Sequence, residues 1–390
     1  MFKHRVLLAT VLVTVLAATG AVGAEFNFGG DLHFWLFDMS AGGGNISTRD
    51  SLGTPSTTAY DTTGRVTMAI HTLYMSFGVQ MSDRFSVTIE PEFGISTGAT
   101  PRVGSRLGTQ QGAGSYREWS LHTAYVSAQL PWDVSLNAGM LRPSFTEDFG
   151  DRKSFQEHNR IGKSMTGSNA WHDFGVELYK AFEPGGGFSI PTYLYVLNGN
   201  NTLSDNNNNK WLLVHIAPEF WKLRLLGSYG FGKDDAAEKY ASSRMSVGLG
   251  GGSGPVWFRT EYVASSYDGH WGFGAIPASD SAIYARTPTG YYVKVGWNIV
   301  PDQFGLVLSY DRYTQNYTNF SSLGYTGATA SRNTTTVGQD LTTIAGTLQY
   351  WITPGAAVLL TADKALWNVG DGSVTGLDFM RYTLGARIVF

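Results

Sequence analysis

Cysteine is absent from the 390 residues. That removes disulfide scaffolds, thiolate zinc and iron–sulfur sites, cysteine nucleophiles and covalent haem attachment. Charge is scarce as well: 15% of the residues are Asp, Glu, Lys or Arg, against about 25% in ordinary soluble chains. The formal charge of −3 comes with no basic stripe, so nucleic acid has no electrostatic foothold. Beyond the first residues no apolar run approaches the length of a membrane-spanning helix, about 18 residues. No His-Glu-x-x-His zinc signature occurs. What is plentiful is apolar, aromatic and flexible: 43% hydrophobic residues, 14% aromatic residues and 48 Gly. So much apolar surface excludes a disordered chain, and glycine without a triplet period excludes collagen.

Lys3 and Arg5 precede an apolar run from Val6 to Ala18, and Val22-Gly23-Ala24 supplies small residues before Glu25. This is the layout of a secretory signal, which divides the chain into a signal peptide, 1–24, and a mature domain, 25–390. A membrane anchor is the competing reading, but the run is short for a bilayer span of about 20 residues. Without the segment, 26 bases face 31 acids, a charge of −5.

The remainder has a period of two. Phe85, Val87, Ile89, Phe93 and Ile95 share one face of a strand, and Ser86, Thr88, Glu90, Glu92 and Gly94 share the other. The same alternation recurs at Val134-Leu136-Ala138-Met140, Phe174-Val176-Leu178, Leu223-Leu225, Tyr291-Val293-Val295-Trp297-Ile299 and Tyr382-Leu384-Ala386-Ile388-Phe390. Tight-turn signals stand near Asp83, Pro131, Pro184, Pro218, residues 250–255, Pro301 and Pro354. Between them lie long polar segments near 40–62, 97–115, 144–170, 199–209, 232–242, 267–288, 314–338 and 368–377. Seven short turns alternating with eight long loops join sixteen strands, with both ends on the short-turn side.

Aromatic residues, among them Phe85, Trp132, Phe182, Phe220, Trp221, Trp257 and Trp351, sit beside the tight turns. A second set, including Trp119, Trp171, Tyr229, Tyr262, Tyr291, Tyr310 and Trp367, sits where strands meet the long loops. Two belts one strand apart match the two interfaces of a membrane. A soluble β-sandwich is the alternative, with those rings between two sheets. The expected fold is all-β: a sixteen-stranded antiparallel transmembrane β-barrel in the bacterial outer membrane. Its third loop is long and folds into the lumen.

A barrel of this width leaves a water-filled channel, which makes a pore the default function. The inward positions carry Asp31, Glu90, Glu92, Asp173, Glu177 and Glu261 together with Arg224, Arg259, Lys294, Arg381 and Arg387. The segment 144–170 mixes Glu147, Asp148, Asp151 and Glu157 with Arg152, Lys153, Arg160 and Lys163, and has apolar residues of its own. A long loop with its own hydrophobic side chains packs against something, here the inside of the barrel. Packing on neighbouring outer loops is the alternative. The expected constriction pairs Asp148, Arg152, Lys153, Glu157 and Arg160 with the wall charges Glu90, Glu92, Arg381 and Arg387. Opposed charges there would orient small polar solutes instead of selecting one ion sign.

Three stretches carry a family resemblance: residues 137–145, with Gly139, Pro143 and Phe145; residues 172–178, His-Asp-Phe-Gly-Val-Glu-Leu; and residues 194–199, ending in Asn198-Gly199. They resemble the phosphate-selective porin O/P family, over about a sixth of the chain. The resemblance implies a sixteen-stranded, trimeric porin with an inward third loop and passage of small ions, anions such as phosphate among them. His172 stands where that family has Arg, and the inward charges form no arginine ladder.

Two other readings remain. The barrel could sheathe a periplasmic electron-transfer cytochrome, supplied as a partner because the chain has no haem-ligation motif. It could instead be an outer-membrane hydrolase built from scattered Ser, His and Asp. No cofactor or metal is expected, since the acidic tips at 205–209 and 234–235 read as solvated loops. Gly248 to Gly254 reads as a turn, because a strand follows it in place of a phosphate-binding helix.

Overall fold

The structure is a computed structural model that describes residues 25–41, 44–49, 55–60, 67–94, 117–146, 173–199, 209–233, 241–267, 287–316, 338–369 and 374–390. The signal-peptide expectation for 1–24 falls outside them. The strand segments are β1 (Glu25–Ala41), β2 (Gly44–Arg49), β3 (Pro55–Tyr60), β4 (Thr67–Ser82), β5 (Phe85–Gly94), β6 (Arg117–Leu130), β7 (Val134–Leu141), β8 (Asp173–Gly185), β9 (Phe188–Leu197) and β10 (Trp211–Ile216). They continue with β11 (Glu219–Phe220), β12 (Leu223–Lys233), β13 (Ala241–Ser253), β14 (Val256–Tyr267), β15 (Thr289–Val300), β16 (Phe304–Asn316), β17 (Gly338–Thr353), β18 (Ala356–Val369) and β19 (Val374–Val389).

The hairpin β2–β3 extends one end of the sheet, and β10 with β11 makes a single interrupted strand, so sixteen staves form the wall. Each pairs antiparallel with its chain neighbour. β1 pairs with β4 on one side and with β19 on the other, from Asp31↔Val389 to Ala41↔Phe379. The ring is therefore closed. Closure leaves no open edge, the condition for a sheet to survive in hydrocarbon. The seven tight connections lie at one end, and Glu25 and Phe390 lie with them; this is the periplasmic end of such a barrel.

The outer face is apolar on stave after stave. Leu225, Val247, Leu308, Ile344 and Leu360 are all more than half exposed, as lipid-facing side chains must be. Their strand neighbours Leu226, Ser246, Val307, Thr343 and Thr361 are buried. The period-two alternation thus separates a hydrocarbon side from an interior side.

Four local expectations need correction. The turn placed at Pro218 lies at Trp221-Lys222, and Ala217-Pro218 instead interrupts the stave between β10 and β11. Proline has no N–H to give the ladder, so the pairing breaks there and resumes. Met140 belongs by parity to the lipid face, yet it is buried together with Leu141. Its register with Ala124 and Phe174 is unbroken. Beside it Gly139 is at φ 141°, where a Cβ would come 2.3 Å from the Ala124 carbonyl oxygen, a conformation and an approach that only glycine permits. Trp257 lines the interior and is not part of the lipid belt: it is in register with Gly296, where a Cβ would overlap the indole. The glycine-rich run is mostly strand, with Gly248–Ser253 in β13 and only Gly254-Pro255 in the turn.

Candidate functional site

The interior wall is built from the inward half of each stave. Near the periplasmic mouth Arg387 forms a two-pronged ion pair with Asp31 across the closing seam, Nη2 to Oδ2 at 2.5 Å and Nε to Oδ1 at 3.0 Å. On β5, Glu90 is buried and accepts hydrogen bonds from the hydroxyls of Thr123, at 2.6 Å, and Ser76, at 3.4 Å. On β8, Asp173 is fully buried and accepts the Gly199 N–H at 2.6 Å, tying the top of β8 to the end of β9.

One part of the wall is organised around the start of the long third loop. Asn137 donates to Glu177, which is also hydrogen-bonded to Tyr195. The Tyr195 hydroxyl accepts the backbone N–H of Ser144 at 3.0 Å. On the neighbouring staves, His215 Nδ1 lies 2.7 Å from Ser228 Oγ, and that hydroxyl donates to the Phe145 carbonyl at 2.6 Å. Tyr193 and Tyr195 stack in parallel with centroids 6.2 Å apart, and Tyr179 lies 4.6 Å from Tyr193. Beyond the end of β7, residues 143–146 therefore run against side chains of β9 and β12 on the inside of the ring. Phe145 and Thr146 are 1% and 2% exposed.

The far wall is charged, mixed in sign and buried. Glu261 accepts from the Ser246 hydroxyl and Lys294 lies over the Tyr292 ring, while nearer the third loop's staves Arg244 lies 4.6 Å over Trp211 of β10. Asp311 and Asp363 are 3% exposed. At the periplasmic rim, by contrast, the Arg224–Glu219 pair, 3.1 Å apart, keeps about two-fifths of each side chain in water. The described wall therefore presents acids and bases side by side.

The sequence expectations divide three ways. Glu90 sits among the hydroxyls of the inner wall and Arg387 is paired with Asp31 at the periplasmic mouth. Glu92 pairs in register with Tyr74 and Ser120, and Arg381 with Asp363 and Met39. Asp148, Arg152, Lys153, Glu157 and Arg160 lie outside the described residues. Arg244, Asp311, Asp363, Tyr195, His215 and Ser228 were missed. The signal for Arg244 was present, because exposed Met245 and Val247 fix its parity. A Gly-x-Ser-x-Gly sequence also stands at residues 94–98. It begins where β5 ends, and the residues after Gly94 lie outside the described ones.

No protein-family model matches the chain, and no curated protein matches it. Solved structures do. The outer membrane channel DcaP of Acinetobacter baumannii aligns over 94% of this chain and 97% of its own, with a TM-score of 0.56 at 13% identity. The anion-selective porin from Comamonas acidovorans covers 94% of this chain and 99% of its own, with a TM-score of 0.53 at 11% identity. The trimer form of OmpT, an outer membrane protein of Vibrio cholerae, covers 94% and 99%, with a TM-score of 0.56 at 12% identity. The fold is that of an outer-membrane porin. At such identities the likeness establishes the architecture alone, while the chemistry of this porin-like barrel rests on its own wall.

Proposed function

We propose that this porin-like barrel is a passive channel, admitting small polar and ionic solutes through a lumen narrowed by its third loop. The observation that carries the reading is the inward course of residues 143–146, bonded by Tyr195 and Ser228 to the inner wall. A ring of sixteen staves is wider than its own side chains fill. On this reading residues 147–172 continue the inward course, opposite the buried wall charges Glu261, Lys294, Asp311 and Asp363. Asp148, Arg152, Lys153, Glu157 and Arg160 would then face those wall charges. Because the wall mixes acids with bases, the channel orients dipolar solutes and shows only weak ion preference. The phosphate preference implied by the family resemblance would require a cationic ring that the described wall does not form.

We also propose that residues 1–24 export the chain and are removed, that the assembly is a homotrimer like one of the similar structures, and that the protein is not an enzyme. Planar-bilayer recording of the purified protein tests the channel: stepwise conductance is expected, and a silent, correctly folded barrel would overturn the reading. Reversal potential in a salt gradient then measures the sign preference, with small opposite shifts expected for Glu90→Ala and Arg387→Ala.

A further inference from the structure

Among the described residues the outward face is largely apolar, and near its extracellular edge staves β16 to β18 interrupt the pattern with two cations. Arg312 on β16 and Lys364 on β18 belong to the lipid-side parity of their strands and are exposed. Two residues below Arg312, Tyr310 faces Tyr291 of β15, the two rings 5.9 Å apart, and Thr342 of β17 is in register with Arg312. Register places these groups on neighbouring rungs. Tyr262, Tyr291, Arg312, Thr342 and Leu366 form one rung around the barrel, and Lys364 lies on the rung below with Ile344 and Tyr310.

Arg312 is eight residues along its stave from Phe304 at the periplasmic rim. For a strand rising about 3.4 Å per residue and tilted about 40°, that is about 20 Å up an apolar band about 25 Å tall. A cation at mid-bilayer would be strongly unfavourable, whereas at the band's edge the lysine stem lies along the hydrocarbon and its ammonium reaches the headgroups. The headgroups at that height belong to the outer leaflet, and their strong acceptors are phosphates. A planar guanidinium matches phosphate with paired hydrogen bonds, and phenol and threonine hydroxyls can donate to the remaining oxygens. Two staves separate the cations by about 10 Å, a span suited to a lipid with more than one phosphate.

We infer that Arg312, Lys364 and the Tyr291–Tyr310–Thr342 cluster bind the phosphorylated headgroup of an outer-leaflet lipid to the outside of the barrel. Asp340 stands one rung above Thr342, and Asp378 stands beside Leu366. The test must therefore separate direct phosphate contact from a divalent cation bridged by carboxylates.

The experiment follows the thermal midpoint of the detergent-solubilised protein in EDTA against rising lipid A, with phosphatidylcholine and inorganic phosphate at matched phosphorus as comparisons. A ligand that binds the folded state raises the midpoint with concentration. Lipid A is expected to raise it for the wild type and for Lys180→Gln, whose ammonium is at the opposite rim on the Trp132 carbonyl. Arg312→Gln combined with Lys364→Gln is expected to weaken the apparent lipid A affinity roughly 30-fold, the effect of two interfacial cations, with an unchanged far-ultraviolet circular dichroism spectrum. An equal response in the double variant overturns the inference. So does a wild-type response that needs divalent cation, or one that inorganic phosphate reproduces. A double variant that keeps its lipid A response but changes oligomer size assigns the surface to a second copy of the chain and equally overturns it.

Discussion

Two residues show how little sequence is needed to set the wall's geometry. Gly139 sits at φ 141° with the Ala124 carbonyl where a side chain would begin. Gly139→Ala is expected to destabilise the barrel by about 2 kcal/mol or more, read as a lower midpoint of urea unfolding in lipid vesicles. Arg387 and Asp31 are each 13% exposed and hydrogen-bonded at two points. Arg387→Ala removes charge-assisted bonds of about 2 kcal/mol and leaves the Asp31 carboxylate alone at the mouth. Its unfolding midpoint should fall, and its reversal potential should move toward cation preference. A change in stability with no change in potential would make the pair purely a seam fastener.

At the scale of a stave, the period of two can be tested in both directions. Val295 is exposed on the lipid side of β15 while its neighbour Lys294 is 5% exposed on the interior. Val295→Arg is expected to lose about 2–4 kcal/mol, the effect of a mid-bilayer cation, although the native strand carries a cation one residue away. Because the chain has no cysteine, single replacements report their surroundings without background. Val293→Cys and Val295→Cys should react with membrane-soluble and not with water-soluble maleimides. Element existence was legible from the outset, since alternation and turn residues are local properties. The seven turns and eight loops of the sequence reading are the connections the barrel has. Register was less legible. The burial of Met140 runs against its parity, and the inward position of Trp257 depends on Gly296 of the next strand making room. Neither relation is written within a single strand.

For the whole molecule, the decisive structural relation links the third loop's beginning to staves distant in sequence. Ser144 is 51 residues from Tyr195, and Phe145 is 83 from Ser228. Combining Tyr195→Phe with Ser228→Ala removes both ties while leaving the staves' own ladders intact. Single-channel conductance is expected to rise and its noise to increase, whereas the unfolding midpoint moves little. Unchanged conductance would mean that the loop's beginning has no hold on the narrowest part of the lumen. Of the expected site, the sequence indicated Glu90 and Arg387 by parity alone, but not that Tyr195, His215 and Ser228 converge. Convergence is a product of closing the ring.

The amino-acid order by itself determined the strand count, the two faces and the end at which the termini lie. Each follows from interactions between residues a few positions apart, repeated until only a closed sheet leaves no backbone group unpaired. Tertiary structure decided which charges become partners, which aromatic residues leave the lipid belt, and where the chain turns into the lumen. Those outcomes depend on contacts between staves far apart in sequence, and such contacts acquire definite geometry only once β1 has met β19.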